Sequence, residues 1–468
     1  MTLSTTSSDT KTLALFGGSF NPPGMHHLRL AKQLTARFDE VVIVPCGPRP
    51  DKPQTDSIEP IFRAAMVDMA FEGLPNSRVD LFDLEAAAFT RTWQLDERYR
   101  AQGEVWHVVG GDLVQGGRDG QSVIQKEWAK GREIWRSCRF VVITRPGFPV
   151  ELEDLPPNHR LLEAEIQGSS SDIRTSAFGN ESIAGKVSER VDAYIQRHQL
   201  YRGMAVKRST SLRLDEIRPL VVADPENPKA QQMAAAWPSP QPDEPNLVLV
   251  FGGDGSMLRA IRKHWRLRLP FFGINTGHLG FLLNPAKPEG ELVCEHLPLL
   301  WTECVDCEGR SRQALAFNDA WVERATGQTA WIKVSIDGQV RLERLVADGA
   351  LVATAAGSGS YARAMGASPM PLNTPALLLV GSNVLRPGNW RPAVLPLDAE
   401  LELETLDAEK RPLRGYIDGV DQGLVSVMRA RISRIASVEL AFLPSHNPLE
   451  KLARIQFPPL RGEERGLK

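Results

Sequence analysis

A 468-residue chain with only five cysteines has no disulfide framework to hold it together. Cys304 and Cys307, in "WTECVDCEGR", form a lone CxxC. With no second such pair and no histidine pair nearby, the expectation is reduced thiols rather than zinc. No segment matches GxxxxGK[ST], so a Walker-type nucleotide loop is not written here. No apolar run approaches the roughly 18–20 residues of a membrane span. The first ten residues, MTLSTTSSDT, lack a basic region, an apolar region and arginine, which reads as a disordered polar start of a cytoplasmic chain. Lys and Arg number 55 against 57 Asp and Glu, and the net charge of −2 gives no basic footprint for nucleic acid.

What is present is a soluble globular composition, 42% hydrophobic and 24% charged, on a chain long enough for about three compact units. From residue 12 to about 201, short apolar runs ("TLALFGG", "EVVIVPC", "VWHVVGG", "FVVITRP") alternate with helix-like stretches such as "HLRLAKQLTARF". Such alternation implies βαβ units on a parallel sheet, with ligands beyond the carboxyl ends of the strands. Gly17-Gly18, Gly110-Gly111-Asp112 and Arg145 would fall there. The expected organisation is a disordered start over 1–11, an α/β domain over 12–203 and a polar linker over 204–216. An α/β lobe over 217–314, a mostly β lobe over 315–450 and a terminal segment over 451–468 follow.

Two stretches of the first domain suggest a phosphate site. In "FGGSFNPPGMHHLRL" a glycine pair after a strand lets backbone N–H groups approach phosphate oxygens, and a helix starting near His27 adds the positive end of its dipole. A histidine there can stabilise charge at a reacting phosphorus. In "QGSSSDIRTSAF" serine hydroxyls and an arginine one turn into a helix can hold a triphosphate. Each stretch alone is equally a glycine-proline turn or a serine N-cap.

Together they resemble the nicotinamide/nicotinate mononucleotide adenylyltransferases, which carry a GGSF(D/N)P–HxGH segment and a late S-S-T-x-I-R segment. About 190 residues are covered, including "PRPDK", "AFTRTW", "VVGGD", "TRPG" and "VDAYIQRHQLY" in order. The resemblance implies a Rossmann-like nucleotidyltransferase fold. It implies ATP contacts by Gly18, Ser19, Phe20, His27, Lys52, Ser170, Ser171, Ile173 and Arg174, and mononucleotide contacts by Asn21, Thr90, Trp93, Asp112, Trp128 and Arg145. One departure lies at the site: the first histidine of HxGH falls on Gly24 and its glycine on His26.

In the second half, "AAGSGSYA" fits a loose dinucleotide pattern, but no acidic residue lies between Asp348 and Asp398, which excludes a Rossmann ribose contact. "VFGGDGSML" places Asp254 beyond a strand, where a carboxylate can orient a sugar hydroxyl for attack on phosphate; read alone, it is equally an Asp-Gly turn. "FGINTGHLGFL", "FNDAWVER", "ADGALVATAAGSGSYARAMG" and "YIDGVDQG" follow in an order that resembles the NAD kinase family. The resemblance, over about 215–445, implies that fold, with Asp254 activating the ribose 2′-hydroxyl. It implies NAD contacts by Asp254, Gly255, Asn318, Asp319, Asp348, Gly359, Ser360 and Tyr361. Asp319 stands where glutamate is usual, Gly359 where threonine is and Ser360 where alanine is. The stretch before GGDG is short, so the first α/β layer is expected to be trimmed.

Both resemblances imply a divalent cation such as Mg²⁺, with ATP as co-substrate; the metal ligands stay unassigned. The combined expectation is an enzyme that makes a dinucleotide from a mononucleotide and ATP and then phosphorylates it, fusion favouring the amide substrate. Its partners are small molecules and, from the family likeness, further copies of itself as a homo-oligomer. A catalytically silent nucleotide-sensing half, and a cytidylyltransferase for another phosphate ester, are the alternatives.

Overall fold

The computed structural model describes residues 10–49, 57–144, 150–164, 168–237, 244–277, 280–446, 448 and 451–452. The chain forms two compact units, 1–206 and 207–468.

The first unit is built on six parallel strands: β1 (Thr12–Gly18), β2 (Glu40–Pro45), β3 (Ser77–Val79), β4 (Glu104–Gly110), β5 (Arg139–Thr144) and β6 (His159–Glu163). Their order is β3-β2-β1-β4-β5-β6. Runs such as Val41–Val44 are buried on both faces, as a parallel sheet covered by helices requires. The helix Met25–Thr35 turns Leu30, Ala31 and Leu34 inward, and the helix Pro60–Phe71 is buried along nearly its whole length. The strand order reverses between β1 and β4, and beyond their carboxyl ends is where open α/β sheets bind ligands. Gly17-Gly18 ends β1 and Gly110 ends β4, with Gly111 and Asp112 just beyond.

The second unit holds a ten-stranded and a six-stranded sheet. The larger contains β7 (Ser209–Arg213), β8 (Pro219–Ala223), β9 (Leu247–Gly252), β10 (Pro270–Asn275), β11 (Glu291–Val305) and β12 (Ser311–Ala316). The smaller begins with β13 (Asp319–Arg324). Next along the chain come β14 (Ala330–Ile336), β15 (Gln339–Ala347), β16 (Gly349–Thr354), β17 (Ala376–Ser382) and β18 (Ala393–Pro396). The last four are β19 (Leu401–Thr405), β20 (Leu413–Ile417), β21 (Val420–Val425) and β22 (Val427–Phe442). β8, β9 and β10 pair in parallel, and β22 continues the sheet beyond β10. The smaller sheet is antiparallel, in the order β18-β17-β16-β13-β20-β21.

One feature of this unit differs from the sequence expectation. Residues 209–213, inside the span read as linker, form β7 and pair with β11 over Glu291–Glu295. The two expected lobes, which meet near 315, share the larger sheet, because β22 runs beside β10 at its end and beside β19 at its start. Among the described residues, one seven-residue helix (Pro228–Ala234) stands between β8 and β9, a thin first layer. Among the described residues, no helix is long and apolar enough to cross a membrane.

Two candidate nucleotide sites

In the first unit, 148 residues of sequence separate two motifs that the fold joins. The Ser170 hydroxyl donates to the Pro22 carbonyl at 2.9 Å, and the Arg174 guanidinium donates to the Asn21 carbonyl at 2.7 Å and to the Ser171 hydroxyl at 3.1 Å. Ser169 is the N-cap of the helix Ser170–Phe178, its hydroxyl accepting the Asp172 N–H at 3.1 Å. Two helix N-termini therefore meet beyond β1: this one and that of Met25–Thr35, whose first turn contains no acidic residue. Both contribute positive potential.

His27 accepts the Gly24 N–H on Nδ1 at 3.0 Å. That bond leaves the proton of the neutral ring on Nε2. Burial, reinforced by the neighbouring His26, lowers its pKa to about 3, so the ring is neutral and carries an N–H on Nε2. Its ring packs on Phe20 with centroids 5.0 Å apart.

The turn itself is held from inside. Phe20 has φ 44° and is fully buried. A Cβ on Gly18 would come within 3.0 Å of the Phe20 ring, while one on Gly17 would meet nothing. Gly18 is thus required by packing, and Gly17 is the open approach. Asn21 is 1% exposed; its amide donates to the Ser57 hydroxyl and its Oδ1 accepts from the Tyr201 hydroxyl at 2.6 Å. Ile173 is also buried. The side chains of Phe20, Asn21 and Ile173 are buried and hold the shape of the turn. Ser19 lends its carbonyl to Arg63, whose guanidinium also holds the Cys46 carbonyl at 2.6 Å.

Thr90, Trp93, Asp112 and Trp128 form the second part. Thr90 is fixed by Asp83, which accepts its hydroxyl at 2.5 Å and its N–H at 3.1 Å. Trp93, Leu113 and Trp128 pack on one cluster with Val109 and Val114, and the Lys130 ammonium lies 3.8 Å from the Trp93 ring centre. The Asp112 carboxylate folds back over Gly110. Lys52 and Arg145 lie outside the described residues.

Asp83 and Arg63 were missed from sequence, while Tyr201 closes the quoted "VDAYIQRHQLY" but was given no role. Arg63, the one basic residue in the apolar "PIFRAAMVDMAF", carried a signal: a buried guanidinium in such a helix must hold backbone carbonyls.

In the second unit, Gly253 caps the helix Asp254–His264 and Asp254 is its first residue, which excludes the hairpin-turn alternative. The Asp254 oxygens accept the Phe281 and Leu282 N–H groups, each at 2.9 Å. The Lys451 ammonium donates to the carbonyls of Phe281 and Leu283, and burial lowers its pKa to about 8. A Cβ on Gly255 would meet only the tip of Arg259, at 3.9 Å, which leaves approach room for a ligand.

Asp418 is a residue that motif order flagged without a role. At φ 45° it turns its carboxylate onto the N–H groups of Phe317, Asn318 and Asp319, at 2.7, 2.9 and 3.2 Å. Asn318 sits there with a buried, unpartnered Oδ1. Asp319 is 3% exposed, and burial together with Asp418 pushes its pKa up to about 7. Thr354 donates to the carbonyl of Phe317, and Gly357 packs on the Asn318 carbonyl, where a Cβ would approach to 2.2 Å. Phe317 and Ala356 share one apolar cluster with Met257 and Leu282, which ties this turn to the Asp254 helix. Gly359 opens onto space, Ser360 is exposed, and Tyr361 packs edge-on against Trp321 at 5.0 Å, which stacks on Tyr416.

Asp348 is not part of this grouping. The register pairs Asp319 with Ala353 and Glu323 with Gly349, so Asp348 lies at the opposite end of β13. There its carboxylate is held by Arg324 at 2.7 Å and Asn383 at 2.7 Å, apart from Asn318 and Asp319, which the resemblance also assigns to NAD.

Comparison with known proteins agrees with both halves. A cytidylyltransferase-like family model matches residues 15–176, and one for the ATP-NAD kinase N-terminal domain matches 186–297. An NAD kinase of Rickettsia bellii is 33% identical over 221 residues, 46% of this chain and 87% of that protein. One of Cereibacter sphaeroides is 35% identical over 231 residues, 48% of this chain and 91% of that protein. A crystal structure of an NAD kinase from Archaeoglobus fulgidus in complex with ATP covers 45% of this chain and 83% of its own, at 22% identity and a TM-score of 0.37. With a GGDG aspartate at the head of a helix, an Asn-Asp turn held by a late aspartate, and relatives matched over most of their length, the chain belongs to the NAD kinase family and carries a cytidylyltransferase-like domain ahead of the kinase.

Proposed function

We propose that the first unit transfers AMP from ATP to nicotinamide or nicotinate mononucleotide, releasing pyrophosphate, and that the second phosphorylates the adenosine 2′-hydroxyl of NAD. The observation that carries the first step is the junction of Ser170 and Arg174 with the Asn21-Pro22 turn at the reversal of the sheet. The nucleotide enters as its magnesium complex. The mononucleotide 5′-phosphate attacks the α-phosphorus in line, one P–O bond forms and the bond to pyrophosphate breaks. The His27 Nε2–H, the Arg174 guanidinium and two helix N-termini stabilise the charge that gathers there. Trp93, Trp128, Thr90 and Asp112 bind the mononucleotide.

For the second step, each Asp254 oxygen is anchored by one backbone N–H and keeps a further lone pair. One accepts the ribose 2′-hydroxyl proton as that oxygen bonds to the γ-phosphorus and ADP leaves. The orphaned Asn318 Oδ1 fits a donor on the adenosine, Asp319 binds NAD beside it, and Tyr361 contributes its exposed ring.

The test is to incubate the purified chain with Mg-ATP and either mononucleotide and to resolve the products by chromatography. NADP from nicotinamide mononucleotide alone is the expected result. Arrest at NAD or its acid analogue, with added NAD also left unphosphorylated, would sink the kinase step; no dinucleotide from either substrate would sink the first.

A further inference from the structure

Outside the residues assigned to either nucleotide site, three side chains of different chemistry meet in the first unit. Asp96 lies in the helix Thr92–Tyr99, His107 is the fourth residue of β4, and Cys138 caps the helix Gly131–Ser137 directly before β5. One atom from each, a carboxylate oxygen, a ring nitrogen and the sulfur, lies within 4.8 Å of the other two. The register pairs Trp106 with Arg139 and His107 with Phe140, which sets Cys138 at the edge of that pairing. His107 and Cys138 are 4% and 5% exposed. No local motif announces the group, because its members come from three separate elements.

The spacing suits a cation. His107 Nε2 and Asp96 Oδ1 are 3.2 Å apart, close to the roughly 3.3 Å between two ligands of a tetrahedral ion with bonds near 2.0 Å. The sulfur has to close by about 1 Å at most to complete the face. Arg100 holds the other Asp96 oxygen, Oδ2, at 2.7 Å and leaves Oδ1 toward His107. A ligating carboxylate is commonly fixed by such an outer hydrogen bond. Ile134, Trp135 and Phe140 pack with Cys138 in one apolar cluster. Burial, with Asp96 beside it, pushes the thiol up to about 11, so the metal-free sulfur keeps its proton and is no nucleophile. A hydrogen-bonded His-Asp pair would account for two of the three donors and leave the sulfur without a purpose there.

We propose that Asp96, His107 and Cys138 form a binding site for a zinc-class divalent cation, separate from the magnesium that accompanies ATP. Sulfur and nitrogen donors select against magnesium and calcium, which take oxygen ligands. Asp96 Oδ1, His107 Nε2 and Cys138 Sγ supply three ligands, and water takes the fourth position. On binding, the thiol proton passes to solvent and the imidazole stays neutral with its proton on Nδ1. The ion ties the helix that carries Trp93 to β4 and to the start of β5. Such a site stands whether or not the first unit transfers AMP.

The experiment strips the full chain with a chelator and titrates it with Co²⁺ or Zn²⁺ alone, as the parent and as Cys138→Ser, Asp96→Asn and Cys307→Ser. With Co²⁺, the parent and Cys307→Ser should show the intense near-ultraviolet band of thiolate-to-cobalt charge transfer, and Cys138→Ser should lack it. Zn²⁺ should raise the melting transition of the first unit in the parent. Asp96→Asn should bind zinc at least about tenfold more weakly by competition with a coloured chelator. A parent with neither the band nor a zinc-dependent rise in melting would overturn the proposal. So would a band that survives in Cys138→Ser and vanishes in Cys307→Ser, which would place the ion at the CxxC pair. If Cys138→Ser melts below the parent without metal, Asp96→Asn decides, and undiminished zinc affinity there removes the site.

Discussion

At the scale of single residues, the chain places ionisable groups where their ordinary charge is suppressed. His27 is neutral because its ring is buried beside another imidazole, and neutrality suits an N–H donor. Asp319 is the opposite sign of the same effect. Its pKa is pushed from 3.8 to about 7, so the folded chain retains a proton that the unfolded chain releases. The stability that Asp319 contributes therefore falls as pH rises from about 4 to about 7, and holds level above. Asp319→Asn removes this loss. Against the parent, the variant is expected to gain stability at about pH 8, on the order of 1–3 kcal/mol, and little or nothing near pH 4. Urea unfolding at the two pH values checks this; an equal offset at both would refute it. None of this was legible in "FNDAWVER". The motif gave the residue, but its charge state depends on its burial in the folded turn and on Asp418, about a hundred residues later in the chain.

At the scale of elements, glycines divide into those the fold needs and those it leaves open. Gly357 and Gly359 lie in one loop and look alike in sequence. A Cβ on Gly357 would strike the Asn318 carbonyl at 2.2 Å, whereas one on Gly359 meets nothing within 4 Å. Gly357→Ala is expected to destabilise the second unit by about 1–3 kcal/mol through overpacking, and to raise KM for NAD by shifting Asn318. Gly359→Thr should fold as well as the parent and retain kinase activity. Thermal melting and steady-state kinetics separate the two; similar losses for both would refute the assignment. The strands around them were legible from their apolar runs and turn residues. β7 was not, because "STSLR" is polar on its own and becomes a strand only by pairing with the long β11.

For the whole molecule, two compact units with separate cores predict two thermal transitions in the full chain. NAD should raise the transition of the kinase unit by mass action, and nicotinamide mononucleotide that of the other. Calorimetry with each ligand reads this. A single transition that both ligands shift together would show that the units unfold as one.

The sequence by itself determined the elements whose cause is local. These are the parallel strands of the first unit, the helix starts after glycine and serine, and the chemistry-bearing side chains of each motif, because period, turn residues and caps act over a few positions. Tertiary structure alone decided which of those side chains meet. It brought Arg174 to Asn21, turned Asp418 onto the Asn318 turn, and sent Asp348 to the far end of β13. Such contacts depend on strand register and on packing between segments far apart in the chain, and no local pattern records either.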